Sequence, residues 1–138
     1  MKDDNASKKE QGDVLEIQGE VVVGKRLGHT MGFPTANIKP FAGQTLPENG
    51  VYIGDMEIEG LPGIYRCVVN QGMQPTLPSG HRTIEAFILN FHRDIYGCRV
   101  ALTYLHRLRS EHKFDNKQDL ADQIRQDAAC AENWQVEE

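Results

Sequence analysis

The feature that most constrains the fold is a series of short apolar stretches, each closed by glycine, proline, asparagine or serine. In the first stretch, Ile17–Val23, apolar or small residues occupy every second position, which is the period of a strand with one buried face. Four more strands are predicted at Gly50–Glu57, Gly63–Asn70, Arg82–Phe91 and Cys98–Leu105. The turn Asp94–Gly97 is expected to join the last two of these strands as a hairpin.

The period changes after the last strand. Apolar residues recur at helical spacing at Leu120, Ile124, Ala128 and Ala131. Asn116 stands where an N-cap belongs, and Asp119 three residues later favours the helix dipole. Short strands followed by one amphipathic helix predict a closed or nearly closed antiparallel β-barrel whose opening the helix covers.

The length of 138 residues fits one domain. Residues 1–13 carry too little apolar surface to offset the entropy of ordering them, so we expect a flexible N-terminal arm. We expect residues 135–138 to fray, which leaves a folded unit at 14–134. No stretch approaches the roughly 18 apolar residues of a membrane helix, and the charged start lacks the apolar core of a signal peptide. A cytoplasmic protein is therefore expected.

The charge balance and the cysteines narrow the choice of partners. A formal net charge of -5 disfavours a nucleic-acid partner. Basic residues gather at Lys25–Arg26 and within His106–Lys113, where a small anion such as a nucleotide could bind. The three cysteines, Cys67, Cys98 and Cys130, are widely spaced. Each is predicted to be a small buried hydrophobe, and neither a disulfide framework nor a zinc site is expected.

The segment after the first strand contains Gly24, Gly28 and Gly32. Glycines let backbone N–H groups approach a polyphosphate closely and allow φ to become positive. The sequence has neither G-x-x-x-x-G-K-[ST] nor G-x-G-x-x-G, so a phosphate site here would be of neither the Walker nor the Rossmann type. A loose connection between strands would explain the same glycines.

The next segment combines a rigid residue with two oxygen donors. Pro34 fixes its own φ, and Thr35 and Asn37 point the same way if the segment is extended. Hydroxyl and amide oxygens are hard ligands suited to Mg²⁺, which leans on substrate phosphates. The alternative is a Pro-Thr turn in which Asn37 caps its own backbone.

Glu85 is the most conspicuous charged residue of the predicted strands. It shares its parity with Phe87, Leu89 and Phe91, so its carboxylate is expected on a face with large apolar side chains. Near the mouth of a barrel, partial desolvation would raise its proton affinity, as a general base requires. The alternative is a glutamate at a strand end that reaches water or pairs with an arginine.

Together, these residues resemble the riboflavin kinase family, which includes the kinase module of bacterial bifunctional FAD synthetases. The resemblance spans nearly all of Ile17–Ala131, in order. Its motifs are the glycines followed by Phe33–Asn37, then Gly50–Tyr52, Asn70-x-Gly72-x-x-Pro75-Thr76, Glu85, Tyr96–Gly97, Arg109-x-Glu111-x-x-Phe114 and Gln123-Ile124-x-x-Asp127.

The resemblance implies a six-stranded Greek-key barrel with a C-terminal helix, which transfers the γ-phosphate of ATP to the ribityl 5'-hydroxyl of riboflavin and so makes FMN. Thr35 would hold Mg²⁺, Asn37 would assist the metal and the phosphates, and Glu85 would take the hydroxyl proton. The remaining residues implied in binding the nucleotide are Gly24, Lys25, Gly28, His29, Gly32 and Pro34. Those implied in contacting the flavin are Arg109, Glu111 and Phe114.

The sequence departs from the family pattern at several positions. His29 and Gln74 stand where the family commonly has arginine, and Phe87 and Asn90 stand where it often has histidine and aspartate. Two positive charges are thus missing, so a flavin- or nucleotide-binding regulator with little turnover is the alternative function. The chain lacks the H-x-G-H motif of an adenylyltransferase, so FAD is not the expected product. We expect a monomer that binds riboflavin and ATP and has no nucleic-acid or membrane partner.

Overall fold

Alternation of buried and exposed side chains runs along the strands, as the sequence predicts. The computed structural model describes residues 15–22, 35–73, 82–111 and 115–134. Its strands are β1 (Leu15–Val22), β2 (Thr35–Pro40), β3 (Gly50–Ile58), β4 (Tyr65–Met73), β5 (Arg82–Ile88) and β6 (Arg99–Arg109), and its helix is α1 (Lys117–Asn133). The predicted arm at residues 1–13 and the predicted frayed end at 135–138 lie outside the described residues.

The strands form a closed barrel in the order β1-β2-β5-β4-β3-β6. Every pairing is antiparallel. Because β3, β4 and β5 are consecutive neighbours and β2 returns beside β5, the arrangement is a Greek key. The predicted six-stranded antiparallel barrel with a C-terminal helix is confirmed.

The predicted hairpin between the last two strands is wrong. The turn at Asp94–Gly97 exists, with Cys98 N–H donating to the Ile95 carbonyl at 3.0 Å, but β5 and β6 are not neighbours. Instead, Gly97 N–H donates to the Val21 carbonyl at 2.9 Å. The segment therefore crosses the end of the barrel and joins β1.

Two apolar clusters hold the fold together. The larger one fills the barrel and includes Ile17, Met56, Val69 and Leu102. The smaller one lies outside the wall, where Val51, Ile53 and Val68 pack with Ala131 of the helix. Strand β3 is therefore buried on both faces, because α1 covers its outer side.

One end of the barrel contains a buried polar network. Gln71 is fully buried; its Nε2 donates to the Pro47 carbonyl at 2.6 Å and its Oε1 accepts from the Tyr104 hydroxyl at 2.5 Å. The Tyr52 hydroxyl donates to the Glu48 carbonyl at 2.6 Å. Burial raises the pKa of Tyr104 above its ordinary value of 10.0. The neutral Tyr104 hydroxyl thus holds Gln71, and Gln71 and Tyr52 in turn hold the segment before β3.

The helix is capped at both ends. As predicted, the Asn116 side chain caps the N-terminus, since its Oδ1 accepts from Asp119 N–H at 2.8 Å. The last turn has no basic residue of its own. Arg66 of β4 supplies one, since its Nη1 donates to the carbonyls of Ala131 at 2.7 Å and Trp134 at 2.8 Å. A positive charge at a helix C-terminus is favourable, so Arg66 anchors this end of α1 to the barrel.

The predicted burial of the cysteines is correct for Cys67 and wrong for Cys130. All three cysteines lie among the described residues and are free; Cys67 is buried, Cys98 is half-buried and Cys130 is exposed. Cys130 faces solvent because the packed stripe of α1 passes through Ala131. In the described part of the chain, no helix is long and apolar enough to cross a membrane.

Candidate active site

Strand β2 places two oxygen donors on the outer face of the barrel. Ala36 and Ile38 point into the core, so Thr35 and Asn37 point outward together. The Thr35 hydroxyl donates to Glu85 Oε2 at 2.7 Å. The segment is therefore extended, as one interpretation required, and the turn proposed as its alternative is wrong for Thr35–Asn37.

Glu85 lies in the middle of β5. Its neighbours Ile84 and Ala86 are buried in the barrel, which turns the carboxylate outward, and the hydrogen bond to Thr35 is partly buried. The alternative was a glutamate at a strand end that reaches water or pairs with an arginine. Its strand-end position is wrong, because Glu85 lies in mid-strand and its carboxylate accepts a hydrogen bond from Thr35.

The prediction that Glu85 shares its face with large apolar side chains is correct for Phe87 and Leu89 and wrong for Phe91. Phe87 and Leu89 lie on the outer side with Glu85. Phe91 packs against the interior cluster, with its ring centroid 5.0 Å from that of Tyr65 in an edge-on contact. Strand β5 ends before Phe91, and Asn90 has a φ of 53°, so the parity of the strand no longer applies there.

A row of cross-strand neighbours extends from Glu85 in both directions. Asn37 of β2 is opposite Glu85 on one side, and Asn70 of β4 is opposite it on the other. Asn70 is in turn opposite Val51, and Val51 is opposite Arg109 of β6. Directly opposed residues in antiparallel strands share a face. The row therefore brings two amides, a carboxylate and a guanidinium to one side of the barrel.

The helix completes this face with a buried ion pair. Asp127 is 5% exposed, and its Oδ2 accepts from Arg109 Nη2 at 2.9 Å. Arg109 Nε is 3.4 Å from Asp127 Oδ1, which also accepts from Gln123 Nε2 at 3.0 Å. The ion pair thus joins the end of β6 to the middle of α1.

Between the row and the helix lies a cavity of about 100 Å³, which we call the row cavity. Its walls combine the polar residues of the row with apolar side chains of the sheet and the helix. They are Thr35, Val51, Val68, Asn70, Glu85, Phe87, Arg109, Leu120, Ile124 and Asp127. The predicted apolar stripe of α1 thus lines a cavity at Leu120 and Ile124 as well as packing at Ala131.

A larger cavity of about 430 Å³, which we call the loop cavity, is bounded by the end of β1, the start of β2 and the segment that follows β5. Val21, Val22, Ala36, Asn37, Ile88 and the segment Phe91–Tyr96 form its walls together with Thr35. Thr35 therefore borders both cavities. Asn37 borders only the loop cavity, whereas Glu85 and Asn70 border only the row cavity.

Glu111 reaches back over the sheet to Gly72. A β-carbon at position 72 would overlap the Glu111 carboxylate, so the absence of a side chain at Gly72 makes room for this approach. Gly72 follows Asn70 on the same face of β4. The structure therefore brings Glu111 to the same face of β4 as Asn70, the middle residue of the row.

Of the predicted site residues, five lie in the described part of the chain. Thr35, Asn37, Glu85 and Arg109 line the two cavities, and Glu111 lies next to Gly72. The others lie outside the described residues and stay predictions; they are Gly24, Lys25, Gly28, His29, Gly32, Pro34 and Phe114.

Sequence reasoning assigned no role to Asn70 or Asp127, although both belong to the motifs of the resemblance. A signal for Asp127 was present. Asp127 falls at helical spacing after Ile124 and before Ala131, and a carboxylate on an apolar helix stripe calls for a partner in the protein.

Comparison with known proteins identifies the family of the chain. The sequence model of the riboflavin kinase family matches residues 11–135. The RNA-binding riboflavin kinase RibR of Bacillus subtilis is 36% identical over 127 residues, which cover 83% of this chain and 48% of RibR. The bifunctional riboflavin kinase/FMN adenylyltransferase of Haemophilus influenzae is 36% identical over 120 residues, covering 87% of this chain and 38% of that protein. The chain thus spans less than half the length of these relatives.

A solved structure of a riboflavin kinase shares the fold. The crystal structure of riboflavin kinase from Trypanosoma brucei superposes with a TM-score of 0.63 at 25% identity, covering 87% of this chain and 76% of that one. Family and fold therefore point the same way, and the chain belongs to the riboflavin kinase family.

Proposed function

We propose that this chain is an active riboflavin kinase that transfers the γ-phosphate of ATP to the 5'-hydroxyl of riboflavin. The observation that carries the proposal is the hydrogen bond between Thr35 and Glu85, located where the two cavities meet. A phosphate donor in one cavity and an acceptor in the other would meet at this pair of residues. A cytoplasmic monomer without a nucleic-acid partner remains part of the proposal.

Glu85 would act as the general base. Its Oε2 accepts from Thr35, which orients the carboxylate and leaves Oε1 to take the proton of the ribityl hydroxyl. The hydroxyl oxygen then forms the new bond to the γ-phosphorus. The bond between the γ-phosphorus and the β,γ-bridging oxygen breaks, and ADP leaves. Phosphoryl transfer depends mainly on positioning and charge neutralisation, so few protein groups suffice.

The sizes of the cavities suggest where each substrate would lie. The loop cavity, of about 430 Å³, falls in the range of roughly 300-1,000 Å³ that is usual for small-molecule sites. We assign the loop cavity to the nucleotide for two reasons. It borders Asn37, and its walls include Val22 and Thr35, which lie on either side of the glycine-containing segment in the sequence. The row cavity, of about 100 Å³, suits the narrow ribityl chain, with the isoalloxazine ring beyond it towards Arg109 and Glu111.

The residues present fit the Mg²⁺ that the resemblance implies. The Thr35 hydroxyl and the Asn37 amide present hard oxygen atoms on one face, beside the single carboxylate of Glu85. In the described part of the chain, no three His, Cys, Asp or Glu side chains form a metal-binding group. This suits a cation that takes most of its ligands from water and substrate phosphates. When bound, Mg²⁺ would neutralise charge on the phosphates, with Thr35 and Asn37 holding it.

The proposal is tested with Glu85→Gln. The amide keeps the volume and can accept the Thr35 hydrogen bond but cannot take a proton, so turnover should fall by about 10²-10⁴-fold. Riboflavin affinity and melting temperature should be equal or slightly higher, because the change removes a partly buried charge. Protein is incubated with riboflavin, ATP and Mg²⁺, and the flavins are separated by chromatography. Glu57→Gln, at an exposed position of β3, is the matched control. Near-normal turnover of Glu85→Gln would falsify the base assignment.

The departures at His29 and Gln74 favour the second candidate function, a flavin- or nucleotide-binding regulator with little turnover. The same assay separates the two candidates. FMN formation by the unmodified protein supports the kinase, whereas tight flavin binding without FMN supports the regulator.

A further inference from the structure

Asn70 is an exposed amide in the middle of a strand. It lies in β4 directly opposite Glu85, and its side chain is solvent-exposed. Asparagine is depleted in strands because it packs poorly on a pleated surface. Among the described residues, nothing hydrogen-bonds to the Asn70 side chain. Neither packing nor hydrogen bonding within the sheet therefore accounts for an amide at this position.

The two amides beside Glu85 lie on different sides of it. Asn37 borders the loop cavity and Asn70 borders the row cavity. Neighbouring strands are ~4.8 Å apart, so each amide is one strand spacing from the candidate base. Thr35, on the Asn37 side, already binds Glu85 Oε2. The Asn70 side is the one from which an acceptor hydroxyl can approach Glu85.

We propose that Asn70 positions the acceptor by binding a secondary hydroxyl of its polyol chain while Glu85 takes the proton of the terminal hydroxyl. This inference rests on the proposed kinase function and deepens it. An amide both donates and accepts hydrogen bonds, which matches the two capacities of a hydroxyl group. Asn70 would then determine specificity, because a site built to bind a hydroxyl discriminates against analogues that lack it.

Two flavins test this role. Riboflavin is compared with a synthetic flavin whose unbranched ω-hydroxypentyl chain keeps the terminal hydroxyl but lacks the secondary ones. In Asn70→Ala, kcat/KM for riboflavin should fall by about 10-fold, the effect of one neutral hydrogen bond. For the analogue it should not change. Where turnover of the analogue is too slow, its binding is measured by quenching of flavin fluorescence.

Two further variants complete the experiment. Asn70→Ser shortens the side chain, and we expect the same selective loss, so the inference can be tested even if Asn70→Ala folds poorly. Asn133→Ala removes an exposed amide at the far end of α1 that donates to the Ala129 carbonyl, and it should leave both flavins unaffected.

The outcomes separate this inference from the proposed function. If the unmodified protein makes no FMN, the kinase function fails. If it makes FMN and both Asn70 variants treat the two flavins as the unmodified protein does, only the role of Asn70 is overturned. Equal losses for the two flavins would also overturn it, because a contact with a secondary hydroxyl cannot affect a chain that lacks one.

Discussion

The ion pair between Arg109 and Asp127 should stabilise both the fold and the proposed flavin site, and Asp127→Asn tests this. In the isosteric variant, Oδ1 can still accept from Gln123. An NH₂ group replaces Oδ2, which accepts from Arg109 Nη2 at 2.9 Å. An N–H donor then faces the Arg109 donor, and the charge-assisted contact with the Asp127 carboxylate is lost.

The exposure of the pair sets the magnitude. The Arg109 and Asp127 side chains are 24% and 7% exposed. Exposed ion pairs contribute about 0.2-1 kcal/mol, whereas breaking a fully buried one costs about 3-5 kcal/mol. With one partner buried and the other partly screened by solvent, we expect a loss of about 2 kcal/mol. For a chain of this size that lowers the melting temperature by about 8 °C.

Thermal unfolding and steady-state kinetics check the prediction. Asp122→Asn is the matched control on the same helix, because Asp122 pairs with Arg125 at side-chain exposures of 52% and 59%. It should change the free energy of unfolding by less than about 0.5 kcal/mol. Asp127→Asn should also raise the KM for riboflavin more than it lowers kcat, because Arg109 is predicted to contact the flavin. Equal melting temperatures for the two variants would refute the reasoning.

Two further predictions concern Thr35 and Tyr104. Thr35→Ala should raise the Mg²⁺ and ATP concentrations needed for turnover and spare riboflavin binding without nucleotide; normal turnover at limiting Mg²⁺ would disprove the ligand role. Because burial raises the pKa of Tyr104 above 10.0, its contribution to stability is complete below about pH 10 and is lost as the pH rises further. At neutral pH, Tyr104→Phe should therefore be less stable than the unmodified protein, because Gln71 loses its hydrogen-bond donor. Between about pH 8 and pH 11, its melting temperature should fall less than that of the unmodified protein. Parallel pH profiles of the two melting temperatures would contradict this.

The sequence predicted the barrel because alternation is a local property that follows directly from burial on one face. It failed at β2, which the pattern left in a loop, because Thr35 and Asn37 face outward and leave only Ala36 and Ile38 as an apolar signal. It also failed at the turn Asp94–Gly97. Turn residues indicate that the chain reverses direction. The order of strands in the barrel decides which strand the reversed chain pairs with.

For the candidate site, the sequence predicted side-chain directions within a strand but not contacts between distant elements. The outward direction of Glu85 follows from the parity of its strand, and the shared direction of Thr35 and Asn37 follows from an extended backbone. The pairing of Arg109 with Asp127 depends on where α1 returns to the barrel, which no local pattern contains. Asn70 was inconspicuous for a related reason, since only the register of β4 against β5 places it beside Glu85.

The register also explains why a β-barrel suits the proposed reaction. Glu85 lies on a strand paired on both sides, with β2 and β4, so its backbone cannot shift without disrupting two ladders. In the proposed mechanism, donor and acceptor approach this fixed carboxylate from separate cavities whose described walls share Thr35. Attacking and leaving oxygens must be roughly in line during phosphoryl transfer. Entry from two separate cavities favours that alignment, and neither substrate then needs to cross the site of the other.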